Sequence, residues 1–393
     1  MRLGTSLRER SPEQTARIAT ELMPVLGISR VVAVTHHDRI CLPVALSYRP
    51  RGETLRVHAG KGLSSADASA SALMEAIEFA VCERHASAGG DATLPLRELV
   101  AALPGRLRLI DFAPRLGVAA DVDTPIPAVQ CEELVRAGSA LLPAELVFMP
   151  FDHGAAAPLF GWSSNGLASG NTLEEATLHA LLEVMERDAL AMNLARNRSR
   201  LVANRSLPAP FRSMATQWLE SGVELVVRYV PNEWGLACFE AALLQPGSRR
   251  LRVHRGWGLH FHRHIALSRA ICEAAQTRLV VLRRRIANNI DEAKVGLLLA
   301  RLMDRQRMTE LDETPHFAAR SVRAAYVEVF ERLAAHGFKH VFRRQMRLAG
   351  DPAGLRGLHV VKVIVPRCEF AAGPHVRMGP RLLAGVFAER FKG

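Results

Sequence analysis

The chain has 393 residues, 49% hydrophobic and 23% charged, with 51 Lys+Arg against 39 Asp+Glu and a formal charge of +12. That composition excludes a disordered chain, and the length fits two or three domains or one large mixed domain. No run reaches the roughly 20 apolar residues of a membrane span, and the N-terminal MRLGTSLRERSPEQTARI lacks the apolar core of a secretory signal.

Six cysteines are scattered without a C-x-x-C pair. They fit a reducing cytosol, so a cytoplasmic protein is expected, without a disulfide framework or a zinc ribbon. The basic balance alone does not make a nucleic-acid binder. The chain has three Tyr and four Trp, shows no RRM, KH or zinc-finger pattern, and its arginine clusters at 283–285 and 343–344 read as solvated faces. No nucleic-acid partner and no membrane contact are expected.

In chain order, residues 11–27 predict a helix, with Ser11 as N-cap, Pro12 at its first position and Gly27 at its end. Strands follow over 28–39, 41–50 and 54–60. Residues 89–160 carry Gly-Gly, several prolines and short apolar runs, and read as a connecting region rather than a compact core. Strands return within 223–262, helices fill 291–313 and 319–336, and HVVKVIVP (359–366) is a buried strand. Strands mixed with long helices, without a strict βαβ rhythm, predict an α+β fold.

Three segments share one plan: 60–81, 164–190 and 256–280. Each has a Gly-Leu element, a small or polar stretch, and then an alanine-rich helix. Each helix carries an acid followed three residues later by Glu or Gln: Glu75/Glu78, Glu183/Glu186 and Glu273/Gln276. Positions i and i+3 share a side of a helix. A solvated face explains one such pair; three after similar loops point to convergence. Converging carboxylates repel unless a cation sits between them, and Mg²⁺ takes carboxylate oxygens together with a phosphate-bearing ligand. A di-iron bundle would need Glu-x-x-His, which none of the three offers.

The loops Gly60-Lys61-Gly62 and Ser163-Ser164-Asn165-Gly166 place flexible backbone and small donors beside helix starts, where anions are favoured, though neither has Walker A spacing. Arg187 and Arg278, just beyond the second and third pairs, are candidates to clamp phosphate oxygens, with a structural ion pair as the competing reading. His260, His262 and His264 alternate along a strand end and form a conceivable transition-metal site; the blander reading is a strand end and helix entry beside the pocket.

These residues resemble the YcaO family, ATP-dependent enzymes that activate peptide amide carbonyls. The resemblance spans nearly the whole chain and rests on GKGL (60–63) with SALMEAIE (71–78), SNGLASGN (164–171) with EVMERD (183–188), and ALSRAICEAAQTR (266–278). It implies that Ser71, Glu75, Glu78, Glu183, Glu186, Arg187, Glu273 and Gln276 surround ATP and its Mg²⁺ ions. With the loop reading it makes Lys61 and Asn165 further cofactor-binding candidates, Glu75, Glu78, Glu183, Glu186 and Glu273 the metal candidates, and Arg187, Arg278 and Gln276 the catalytic candidates.

One YcaO-like catalytic domain over 1–393 is expected. It comprises an N-terminal portion (residues 1–88) with the first ATP-binding helix, a connecting region (89–160), and a core (161–393) holding the other two helices and the C-terminal strand. N-terminal runs GT (4–5), SPE (11–13), LGISRV (26–31) and DRICLPV (38–44) resemble members encoded beside a TfuA partner, which are associated with thioamidation. The implied reaction is attack on a peptide carbonyl by sulfide, or by a neighbouring Cys, Ser or Thr, with the oxyanion taking the γ-phosphoryl group of ATP.

The sequence departs from the family at 282–287, LRRRIA in place of a Gly-Ser/Ala-Arg-Asp-Asp element, and at 366–369, PRCE in place of Pro-Gly-Leu-Glu. These changes motivate the alternative of a non-catalytic nucleotide-binding scaffold. The C-terminus AGVFAERFKG lacks a proline-rich tail, which disfavours an azoline-forming cyclodehydratase. Expected partners are a precursor peptide or protein and a TfuA-like or ThiF-like protein, because no extra leader-binding domain is legible. A homodimer is compatible with this reading.

Overall fold

Ser11 starts the first helix as its chemistry requires. Its hydroxyl accepts from the Gln14 N–H, the Gln14 side-chain oxygen accepts in turn from the Ser11 N–H, Pro12 fills the first position, and Gly27 closes the helix at φ 68°. This helix, α1, spans Pro12–Leu26 in a computed structural model. The structure describes residues 4–86, 89–152, 158–245, 252–284, 292–347, 355–371 and 377–390. The departure from the family at 282–287 therefore lies partly outside the described residues.

Strands β1 (Arg30–Ala33), β2 (Val44–Tyr48) and β3 (Val57–Lys61) form an antiparallel sheet and lead into α2 (Ser65–Ala86). The strand expected over 28–39 is shorter than predicted. The His37 N–H turns back to the Val34 carbonyl at 3.0 Å, which begins a 3₁₀ turn.

Residues 89–160 correct the expectation of a connecting region. They supply β4 (Ala92–Pro95), α3 (Leu96–Ala101), β5 (Pro125–Glu133) and β6 (Gly138–Pro143). Val129, Cys131, Leu142 and Phe148 are buried in the same core as Leu73 and Ile77 of α2. Three of its prolines, Pro95, Pro125 and Pro127, sit where the start of β5 pairs with the edge strand β4. At such an edge a missing N–H is tolerated.

The rest of the chain adds β7 (Leu167–Gly170), α4 (Leu173–Arg196), β8 (Arg200–Val202), α5 (Ala209–Glu220), β9 (Glu224–Tyr229), β10 (Ala237–Gln245), β11 (Arg252–His260) and α6 (Arg263–Arg284). It continues through α7 (Glu292–Leu302), β12 (Met308–Thr309), α8 (Val322–Ala335), β13 (Phe342–Met346), β14 (His359–Ile364) and α9 (Pro380–Arg390). The helix expected over 291–313 stops at Leu302. The buried Arg228 guanidinium donates to the carbonyls of Leu302 (3.1 Å) and Asp304 (3.0 Å), satisfying the helix end and turning the chain into β12.

Two further sheets result. One has the order β11-β10-β9-β8-β12; the other runs β4-β5-β13-β14-β7, with β6 paired to β5. The architecture is the expected mixed α+β.

Each sequence repeat is one strand followed by one helix: β3–α2, β7–α4 and β11–α6. Strand glycine meets helix alanine in all three. A Cβ added at Gly60 would lie 2.1 Å from the Ala72 nitrogen, at Gly170 2.4 Å from the Ala176 nitrogen, and at Gly256 2.2 Å from the Ala274 nitrogen. Each helix also touches the strand of the next repeat, α2 on β7, α4 on β11 and α6 on β3. The three units thus close into a ring.

Candidate active site

The second member of each paired motif bonds the backbone across that ring. Glu78 accepts from the Ser169 N–H (2.8 Å) and hydroxyl (2.6 Å) on β7. Glu186 accepts from the Leu259 N–H on β11 at 2.9 Å. Gln276 donates its amide to the Ala59 carbonyl on β3. The third repeat carries Gln because the strand it faces offers a carbonyl, to which a carboxylate has nothing to donate.

The first members, Glu75, Glu183 and Glu273, lie one turn earlier on the three helices. Burial pushes the Glu78 carboxyl up to about 8; Ser169 opposes this, while Glu75 and Glu183 add to it. Burial also raises Glu183, with Arg187 opposing and Glu186 reinforcing. Burial alone would raise Glu273, but Lys61 and Arg187 overcome it and hold the carboxyl below the usual range. Glu273 is ion-paired with Lys61. Glu75 is the more open acid, 34% exposed, with one oxygen 3.7 Å from His58 Nδ1.

Arg187 stands four residues after Glu183, about 40° round the helix, and therefore on the same face. Its guanidinium is 3.8 Å from Glu186 and lies 5.8 Å from the centre of the Trp257 ring. Burial would depress its pKa, but Glu186, Glu273 and Glu183 raise it.

The structure does not bring every predicted residue into the cluster. Arg278 is five residues after Glu273, about 140° round α6, and points away. It is fully buried in an ion pair with Asp38 at 2.8 Å and a hydrogen bond to Gln245 at 2.6 Å. The structural ion pair, the competing reading of Arg278, is the one observed. Gln276 likewise spends its amide on β3 rather than in the centre. Asp188 is related to Glu183 as Arg278 is to Glu273, and it binds Arg381 of α9 at 2.5 Å. The three histidines also part company. Buried His260 accepts from the His262 N–H, whereas His262 and His264 cluster with His316. Among the described residues no three His, Cys, Asp or Glu side chains are drawn together in metal-holding geometry.

Two residues not predicted for the site occupy the position four before the first acid of each pair, one turn along the same face. Ser71 holds it in α2, His179 in α4 and Arg269 in α6. Burial, then Arg8 and Arg269, hold His179 neutral by lowering its pKa well below the usual range. Arg269 acts on Glu183 and Glu273, and its buried Nε has no partner. Arg8 reaches in from the N-terminal segment, 3.0 Å from Glu175 and 3.2 Å from His179 Nδ1. The i−4 spacing from each acid was the signal that would have found His179 and Arg269. Asn165 also shows a buried, unpartnered Oδ1.

This donor set suits a hard cation with a polyphosphate. It offers the carboxyls of Glu78 and Glu183, which burial holds above the usual range, an orphaned amide oxygen on Asn165, and the guanidinium groups of Arg187 and Arg269. A family model for YcaO cyclodehydratases, described as ATP- and Mg²⁺-binding, matches residues 59–369. The chain belongs to the YcaO family.

As a YcaO protein it has ATP and Mg²⁺ as cofactors. It is 30% identical, over 94% of its length and 91% of the relative's, to a protein from the tfuA 3′ region of Rhizobium leguminosarum bv. trifolii. A Methanothermobacter thermautotrophicus protein is 28% identical, with 95% and 98% covered. YcaO from Methanopyrus kandleri, solved with AMPPCP and Mg²⁺, shares the fold at TM-score 0.73 and 22% identity, covering 95% of this chain and 96% of that one. A heterocyclase solved with substrate and cofactor also gives 0.73 at 21% identity. The match covers 94% of this chain but only 54% of that heterocyclase. No described helix of this YcaO chain is long and apolar enough to cross a membrane.

Proposed function

We propose that this YcaO protein activates a backbone amide of a ribosomally made peptide or protein and that the product is a thioamide. The ring of three helices, with its buried acids in excess of local cations, is the observation that carries amide activation. Glu75, Glu78, Glu183, Glu186 and Glu273 would hold Mg²⁺, and Lys61, Asn165, Arg187 and Arg269 would take the nucleotide. Bound Mg·ATP supplies the phosphoryl group and neutralises its charge.

The chain's own work is positioning and electrostatic stabilisation. Arg187, fixed by Glu186 and Trp257, orients toward developing negative charge. The backbone bonds of Glu78 and Glu186 keep the helices in register. In the overall change, a hydrosulfide forms the new C–S bond and the amide oxygen takes the γ-phosphoryl group. The C–O bond then breaks, so that ATP becomes ADP and the oxygen leaves in phosphate. None of the six cysteines is needed as an enzyme nucleophile; Cys82, Cys131, Cys238 and Cys272 are buried, and burial raises the pKa of each.

The relative from the tfuA region and the N-terminal runs at 4–5, 11–13, 26–31 and 38–44 support sulfur insertion with a TfuA-like partner; a ThiF-like partner is the alternative. The heterocyclase neighbour supports a second reading, ring closure by a Cys, Ser or Thr of the substrate. A cytoplasmic setting fits either chemistry. Mass spectrometry of a precursor peptide incubated with the protein, TfuA-like partner, ATP, Mg²⁺ and sulfide decides between them. Exchange of one oxygen for sulfur is expected. Loss of water would replace the proposal with azoline formation, and nucleotide binding with an unchanged peptide would make the protein a scaffold.

A further inference from the structure

Lys362 of β14 pairs with Leu167 of β7 and is only 2% exposed. Its ammonium donates to the Ser163 carbonyl at 2.6 Å and, among the described residues, forms no ion pair. An ammonium has three donors, and burying one without a carboxylate partner is costly. Its strand packs against both α4 and α2, and Glu183 and Cys82 of those helices act on it electrostatically.

Lys362 does not neutralise Glu183 by contact. Burial holds the Glu183 carboxyl above its ordinary range even with the lysine nearby. Ser163 begins the loop whose Asn165 leaves its buried Oδ1 unpartnered. That loop is wedged at Gly166, at φ 75°, where an added Cβ would meet the Val363 carbonyl at 2.3 Å. A cation with unused donors and a loop with an unused acceptor thus adjoin the same cluster.

We infer that Lys362 is a further anion-binding residue of the nucleotide site, donating to a phosphate oxygen while its bond to Ser163 holds the loop that carries Asn165. This rests on the assignment of Mg·ATP to the three-helix ring. The competing role, a distant counter-charge for Glu183, predicts the opposite sign. Removing a positive charge would then make the site more attractive to Mg²⁺ and leave nucleotide binding equal or tighter.

Calorimetric titration of AMPPCP at saturating Mg²⁺ separates the two. Lys362→Met is expected to weaken AMPPCP at least tenfold, with Lys362→Arg recovering most of the loss. Should Lys362→Met not fold, Lys362→Gln, which keeps a donor for Ser163, must show the loss instead. Wild-type affinity or tighter binding in a folded Met or Gln variant overturns the inference. Absence of AMPPCP binding by the wild-type protein would sink the nucleotide assignment itself, and this inference with it.

Discussion

On the proposed assignment of Mg²⁺ to the ring, Glu78 holds a proton that the cation would displace. Burial, with Glu75 and Glu183, places its carboxyl at about 8 without a cation. Mg²⁺ affinity is therefore expected to rise with pH up to about 8 and level off above it. Titration at pH 7 in two buffers of different ionisation enthalpy should show proton release, and no release would contradict this. The stability sign follows from the same shift. A carboxyl whose folded pKa is raised stabilises the fold fully below its unfolded value of 4.5 and loses that contribution as pH rises through about 8. The melting temperature of the metal-free protein should fall across that window, and Mg²⁺ should restore it. A second residue is strained: exposed Arg367 sits at φ 75° where the family motif has Gly. Arg367→Gly is expected to stabilise the protein by about 1 kcal/mol in urea denaturation.

At the scale of elements, the repeated acids were legible because i,i+3 spacing on three alanine-rich helices is a sequence-local property. The angular fate of Arg278 and Asp188 was equally local, since about 140° from the first acid puts both on another face. For Asp188 that is legible on the helical wheel; for Arg278 proximity along the chain masks it. The partner of each second member was not legible, because it lies on a strand from another repeat. That difference yields a paired prediction. Gln276→Glu sets a carboxylate against the Ala59 carbonyl and should cost about 1–3 kcal/mol at neutral pH. Glu186→Gln keeps an acceptor for the Leu259 N–H and should cost less. Denaturant midpoints of the two variants check the order, and equal losses would remove the explanation for Gln in the third repeat. The strands of 89–160 escaped notice for a different reason. Prolines at the start of β5 break the alternating pattern, and only pairing with β4 shows that their missing N–H groups do no harm.

At the scale of the molecule, three strand–helix units set the acids at positions 75, 183 and 273 at equivalent places on the three helices of one ring. The C-terminal region serves the same end. Glu369, the residue retained from the family motif, accepts from the N–H groups of Gly379, Arg381 and Leu382, while Arg381 grips Asp188 beside Arg187. α9 is thereby tied to the helix that carries the second acid pair. The departure at 366–369 thus preserves the anchoring acid and changes the turn before it. The most direct measurement is AMPPCP affinity at fixed, saturating Mg²⁺ in wild-type protein and Glu183→Gln, with circular dichroism confirming that both are folded. A loss of tenfold or more in the variant is predicted; equal affinity would contradict the placement of Mg·ATP at the three-helix ring.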